Sequence, residues 1–156
     1  MDALKLLKQD HGVVKKMLAN LEDTTERAVK TRSEGLASLK QELKVHEKIE
    51  EEIFYPALRE HPKTKDIALE AYEEHHVVDM VMGEIETTAP SDESWMAKFM
   101  VMKENLEHHI EEEEGEMFTQ AQQVLDDEEL ETLGQRMQDR KEELNESVVE
   151  RIRDLI

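Results

Sequence analysis

Apolar residues recur at alternating spacings of three and four along most of this chain, and that period leaves room for little except amphipathic helices. One stripe runs Leu4, Leu7, His11, Val14, Leu18, Leu21, and a second runs Leu36, Leu39, Leu43, His46, Glu50, Ile53, Ala57. A third runs Ala68, Ala71, His75, Val78, Met82, Ile85, and a fourth Trp95, Phe99, Met102, Leu106, His109, Glu113, with Met117 near the same line. A fifth repeats Leu130, Leu133, Met137, Leu144, Val148, Ile152 and Leu155 behind Asp126, which with Glu129 has the form of a capping box.

Five glycines and three prolines in 156 residues, with abundant Leu, Met, Glu, Lys and Ala, agree with an all-α chain. Turn chemistry separates the stripes at "TRSEG" (31–35), "HPKTKD" (61–66) and "TTAPSDES" (87–94), where Ser91 or Asp92 can cap the next helix. Pro56, inside "FYPAL", should kink the second helix or begin to end it. The expected architecture is a single domain: an up-down-up-down four-helix bundle over about residues 2–124, followed by an added amphipathic helix over about 127–155. That last helix packs on the bundle or joins a second copy in a homodimer.

Thirty-nine acidic against 20 basic residues give a formal charge of −19, which repels phosphate backbones and anionic membrane surfaces. Nucleic-acid binding and membrane association are therefore not expected. No segment has the continuous apolar run of a signal peptide or a membrane span, so the expected compartment is the cytoplasm. The absence of cysteine removes disulfides and thiolate chemistry, so any metal must be held by oxygen and imidazole.

Six polar residues interrupt the apolar stripes: His11, His46, Glu50, His75, His109 and Glu113. A carboxylate on a buried seam needs a proton or a cation to offset its desolvation. In "HEKIE" and "HIEEE" the imidazole and the carboxylate are four apart, one above the other on one helix face. Antiparallel neighbours at equal height turn near the mean of their residue numbers. For His11 with His46, His46 with His75 and His75 with His109 those means are about 29, 61 and 92, in or within a few residues of the turn segments. The six therefore share one layer of the bundle. His11 and His46 would hold one metal ion and His75 and His109 another, with Glu50 and Glu113 bridging both. Open positions remain for an oxo or hydroxo bridge and an external ligand.

The chain also repeats itself. "DHGVVKKMLANL" (10–21) aligns with "EHHVVDMVMGEI" (74–85), and "HEKIEEEIFYPAL" (46–58) with "HIEEEEGEMFTQA" (109–121), as two helical hairpins related by an approximate two-fold would. His76 and His108 lie about 100° around the helix from the seam and read as outer residues. His61 reads as a loop residue, Glu111, Glu112 and Glu114 as solvated, and the methionines as core filler. Tyr55 and Tyr72 read first as core, with a hydrogen bond to a bound ligand as the second option. Asp79, four residues after His75, could add an oxygen to the site, and Glu47 stays open.

At "DHGVVKKML", "HEKIEEEIFYPAL", "EEHHVVDMV" and "HHIEEEEGEMF" the sequence resembles the hemerythrin-like, or HHE cation-binding, family, over about residues 3–122. The resemblance implies a four-helix bundle holding two non-haem iron ions; the mixed imidazole and carboxylate donors themselves suit iron or manganese better than zinc, with manganese or zinc as substitutes. Carried over by position, the resemblance implies His11, His46, His75 and His109 as imidazole ligands and Glu50 and Glu113 as bridging carboxylates. Oxygen-carrying hemerythrins have a fifth histidine one turn after the third; here that position is Asp79. Ferritin-like di-iron bundles use Glu-x-x-His, which this His-x-x-x-Glu pattern does not match. The expected function is binding of O2, nitric oxide or peroxide as carrier, sensor or scavenger. The alternatives are an enzyme that detoxifies peroxide or nitric oxide, and a metal-free helical interaction module.

Overall fold

A computed structural model describes residues 1–155, and every regular element among them is helical. Helix α1 (Ala3–Glu22) is followed by α2 (Val29–Ile49), which continues through a π-helical turn, π1 (Glu50–Phe54), into α3 (Tyr55–Arg59). Helix α4 (Pro62–Glu86) returns, and α5 (Trp95–Glu112) runs through a second π-turn, π2 (Glu113–Met117), into α6 (Phe118–Val124). The long α7 (Asp127–Asp154) closes the chain.

Helix α1 packs against α2 and α5, and α4 against the same two, so the four make the ring of an up-down-up-down bundle. Helix α7 lies outside that ring, against α1 and α2. Every residue of the first, third and fourth stripes is buried, as the period requires. The fifth stripe is buried only at Leu130, Leu133 and Met137, whereas Ile152 and Leu155 are exposed because α7 there runs beyond the bundle. No helix of the described residues is long and apolar enough to cross a membrane.

Two breaks lie elsewhere than the turn residues suggested. "TRSEG" is the early part of α2, and the turn itself precedes Val29. Arg32 is buried there, donating to the Thr24 and Pro90 carbonyls and lying 4.5 Å over the Trp95 ring. Gly35 marks a close approach to α1: a Cβ at that position would fall 2.6 Å from a Leu21 methyl carbon. "HPKTKD" is mostly the first turn of α4, since Pro62 suits a helix start, where its missing N–H is not needed. Helix α5 begins after Ser94, so neither Ser91 nor Asp92 is its N-cap; Asp92 instead accepts from the Ser94 amide and hydroxyl within the turn. The capping box at Asp126 and Glu129 forms as expected.

Pro56 does not end its helix. It falls in the first turn of α3, directly after π1, where the Tyr55 N–H bonds the Glu50 carbonyl five residues back. In that register Pro56 would answer to the Glu51 carbonyl but has no N–H to offer; the Tyr72 hydroxyl donates to that oxygen at 3.2 Å instead.

The buried apolar residues form two clusters. One gathers Leu7, Phe54, Tyr55, Leu58, Ala71, Met117, Phe118 and Met137 toward the end covered by α7. The other gathers Val14, Leu43, Val78, Trp95, Phe99 and Leu106 toward the opposite end. The polar seam residues lie between the two.

Candidate metal centre

Each of the two π-turns begins on a seam glutamate. Glu50 opens π1 and Glu113 opens π2, each four residues after a histidine on the same rod. A π-turn adds a residue locally without ending the helix and is common where a side chain must be re-aimed. The rods deliver His46 with Glu50 and His109 with Glu113, while α1 contributes His11 and α4 contributes His75.

All six are buried: Glu50 is 0% and Glu113 1% exposed, and no histidine of the set exceeds 5%. Their ligand-type atoms fall into two groups, His11, His46, Glu50, Glu113 and Glu50, His75, His109, Glu113, in each of which those atoms lie within 4.8 Å of one another. His46 Nε2 is 2.9 Å and His75 Nε2 3.2 Å from Glu50 Oε1. His11 Nε2 is 3.0 Å from Glu113 Oε1, and His109 Nε2 is 3.1 Å from Glu113 Oε2. The rings pair edge to face, His11 with His46 at 5.0 Å and His75 with His109 at 4.9 Å.

The opposite nitrogen of every ring meets another acid. His11 Nδ1 lies 2.6 Å from Glu114, His46 Nδ1 3.1 Å from Asp10, His75 Nδ1 2.9 Å from Glu51 and His109 Nδ1 3.3 Å from Glu74. A carboxylate that accepts from Nδ1–H fixes the tautomer and leaves an Nε2 lone pair aimed inward. Asp10 is itself held at 2.5 Å by Lys141 of α7, so the last helix braces His46 through one intermediate. Glu114 is therefore not a merely solvated residue, contrary to the expectation from its place in a glutamate run. Neither it nor Asp10, Glu51 and Glu74 could be singled out from the sequence, because they lie off the seam among many other acids.

Tyr55 belongs to this layer rather than to the core alone. Its hydroxyl donates to Glu113 Oε2 at 2.6 Å and lies 3.2 Å and 3.4 Å from Nε2 of His75 and His109. In the internal repeat Phe118 takes the equivalent place, and its ring stacks on His11 at 6.3 Å. His76 and His108 are exposed, Met80 is 59% exposed rather than core, and Asp79 and Glu47 lie near one another outside both four-donor groups.

Electrostatics mark the layer as unfinished by protein groups. Both oxygens of Glu50 are buried with no aligned hydrogen-bond donor, although two imidazoles lie close. A carboxylate so placed is costly to bury unless a cation completes it. Burial would lower the pKa of His46, but the adjoining Glu50 charge and the Asp10 hydrogen bond raise it well above the usual value. Burial likewise opposes a charged His109, and Glu113 with Glu74 outweighs it. His75 reaches about 9 against burial, through Glu50 and Glu51. Burial works against ionising Glu113, yet the Glu50 carboxyl, His109 and His11 hold it well below the usual carboxylate range. Without a metal, protons must therefore supply the positive charge this layer calls for.

The donor spacing fits metal ions too. Ligands on bonds of about 2.1 Å at right angles are about 3.0 Å apart, and the four nitrogen–oxygen distances of 2.9–3.2 Å match that edge.

Fold and layer together define a helical bundle with a buried set of imidazole and carboxylate groups suited to cations. The chain belongs to the hemerythrin family: the hemerythrin HHE cation binding domain matches residues 2–121. The crystal structure of a hemerythrin HHE cation binding domain-containing protein from Mycobacterium kansasii has the same fold, with a TM-score of 0.86 and 28% identity over 98% of this chain and 93% of that one. No curated protein matches the sequence significantly.

Proposed function

We propose that the chain holds two non-haem iron ions and binds O2, nitric oxide or peroxide there as a carrier, sensor or scavenger. His11 and His46 would ligate one ion and His75 and His109 the other, with Glu50 and Glu113 between them. The observation that carries this reading is the pair of four-donor groups sharing two buried glutamates, in one of which neither oxygen accepts an aligned hydrogen bond. Mixed imidazole and carboxylate donors suit iron or manganese better than a tetrahedral zinc site, although zinc can substitute. Bound iron would supply one- and two-electron exchange with a small oxidant.

The remaining work falls to side chains of this chain. Four outer carboxylates hold the ring tautomers, the apolar clusters on either side keep bulk water out, and the Tyr55 hydroxyl holds a proton 2.6 Å from Glu113. Larger surface grooves, such as those lined by Glu52, Leu125 and Arg136 or by Glu74 and His108, lie outside the six-residue layer.

The test is metal content per chain with the optical spectrum in air and after azide or peroxide. Two irons with a charge-transfer band support the reading. Fewer than one transition metal per chain after anaerobic iron loading would sink it. Tyr55, a proton donor beside the site, favours a second reading as an enzyme that consumes peroxide or nitric oxide. Sustained consumption with many turnovers would select that reading over a carrier.

A further inference from the structure

On the face where α2 meets α4, Glu47 and Glu51 stand one turn apart opposite His75 and Asp79. Ligand-type atoms of Glu47, Glu51 and His75 lie within 4.8 Å of one another, and Asp79 is within hydrogen-bond reach of Glu47. Glu47 is only 6% exposed, and among the described residues no lysine or arginine forms an ion pair with it, with Glu51 or with Asp79. A carboxylate so enclosed beside other acids, with no lysine or arginine to offset its burial, calls for a proton or a metal cation. The cluster is graded in depth: Glu51 has a side chain 38% exposed, Asp79 is half-buried and Glu47 is nearly enclosed.

His75 joins this cluster to the buried layer. Its Nδ1 is 2.9 Å from Glu51 and its Nε2 is 3.2 Å from Glu50, so one imidazole touches a carboxylate on each side. Hard carboxylate oxygens hold a divalent ion while it still keeps part of its water, and imidazole then competes for it.

We propose that Glu47, Glu51 and Asp79 form a loading station, where a divalent transition-metal ion is held at the α2–α4 face before it passes beside His75 to the inner pair. The station rests on the metal-pair reading above and adds a third, weaker cation site to it.

The experiment uses full-length protein freed of metal by chelation. Mn2+ binding is followed by electron paramagnetic resonance, and the rate of Co2+ uptake by its visible absorption, for wild type, Glu47→Gln and Asp79→Asn. The station predicts two tight ions and one weaker ion in wild type. Both variants should keep the two tight ions, lose the third and fill with Co2+ about tenfold more slowly, as removal of local steering charge slows capture. Two tight ions in all three proteins with equal filling rates would overturn the station and leave the metal pair standing, Glu47 and Asp79 then merely sharing a proton. A third ion that survives both substitutions would also overturn it. Absence of any tight ion in wild type would overturn the metal pair itself and the station with it. Asp79, at the half-buried edge, keeps the test available should Glu47→Gln impair folding.

Discussion

Each histidine of the layer uses both ring nitrogens, one toward a seam glutamate and one toward an outer acid, so its orientation is fixed from two sides. Replacing His46 or Glu50 by alanine should bring bound iron below two per chain, measured by elemental analysis after anaerobic loading. Tyr55→Phe should leave iron content near wild type. It should also lower the stability of the metal-free protein by about 1–3 kcal/mol in urea, because Glu113 loses its shortest hydrogen bond while staying buried. The six seam residues were legible in the sequence because they occupy positions where the apolar period forbids charge. Asp10, Glu51, Glu74 and Glu114 were not, since an acid off the seam looks the same whether it faces water or an imidazole. Tyr55 was ambiguous for a related reason: an aromatic near a seam packs well with or without a use for its hydroxyl.

The helices themselves were readable from periodicity, and the departures occur where tertiary packing outweighs local turn propensity. "TRSEG" looks like a turn, yet Gly35 allows close packing on Leu21 and Arg32 donates to three acceptors on Thr24 and Pro90 in the neighbouring loops, so the segment is helical. The π-turns do mark the pattern, since one extra residue turns the face by about 100°: from the end of π1 onward the buried positions include Phe54 and Leu58, and Ala57, which the period placed on the seam, is only half-buried. Helix α7 approaches the start of α1 through Gly134, where a Cβ would fall 2.7 Å from the Ala3 nitrogen and from the Asp2 carbonyl carbon, and closer still to the Met1 carbonyl oxygen. Gly134→Ala should therefore cost about 1–3 kcal/mol in chemical denaturation, because backbone on either side must shift. Lys141→Met should remove the brace on Asp10 and lower metal affinity about tenfold in a chelator competition, with the helical signal unchanged.

At the scale of the whole molecule, a strongly acidic chain keeps a concentrated store of carboxylates inside as well as outside. In the metal-free protein His75 and Glu47 hold their protons to higher pH than exposed groups do, and the pH dependence follows from that. His75 sits near 9 in the folded protein against 6.5 when exposed, so its stabilising contribution is complete below about 6.5 and is lost as pH rises through about 9. Glu47, raised from 4.5 to about 8 first by burial and then by Asp79 and Glu51 against the pull of His75, adds a fall in the same direction over its own range. The midpoint of thermal unfolding of the metal-free protein should thus drop between pH 6.5 and 9.5. Iron-loaded protein should show a flatter profile there, because the cation replaces the protons. The bundle, its handoff to a fifth helix and the level of the six residues were all readable from the sequence. The reach of α7 back to His46 was not, since it depends on where a long helix comes to rest.

The two hairpins present the layer with nearly identical halves, yet Tyr55 stands on one side where Phe118 stands on the other. Beside the seam ligands, the pseudo-two-fold is thus broken by the Tyr55 hydroxyl oxygen. A molecule such as peroxide, lodged between the halves, would meet a proton on its left and only a carbon edge on its right. Geometry alone would let it lie either way round; the hydroxyl gives the layer a head and a tail.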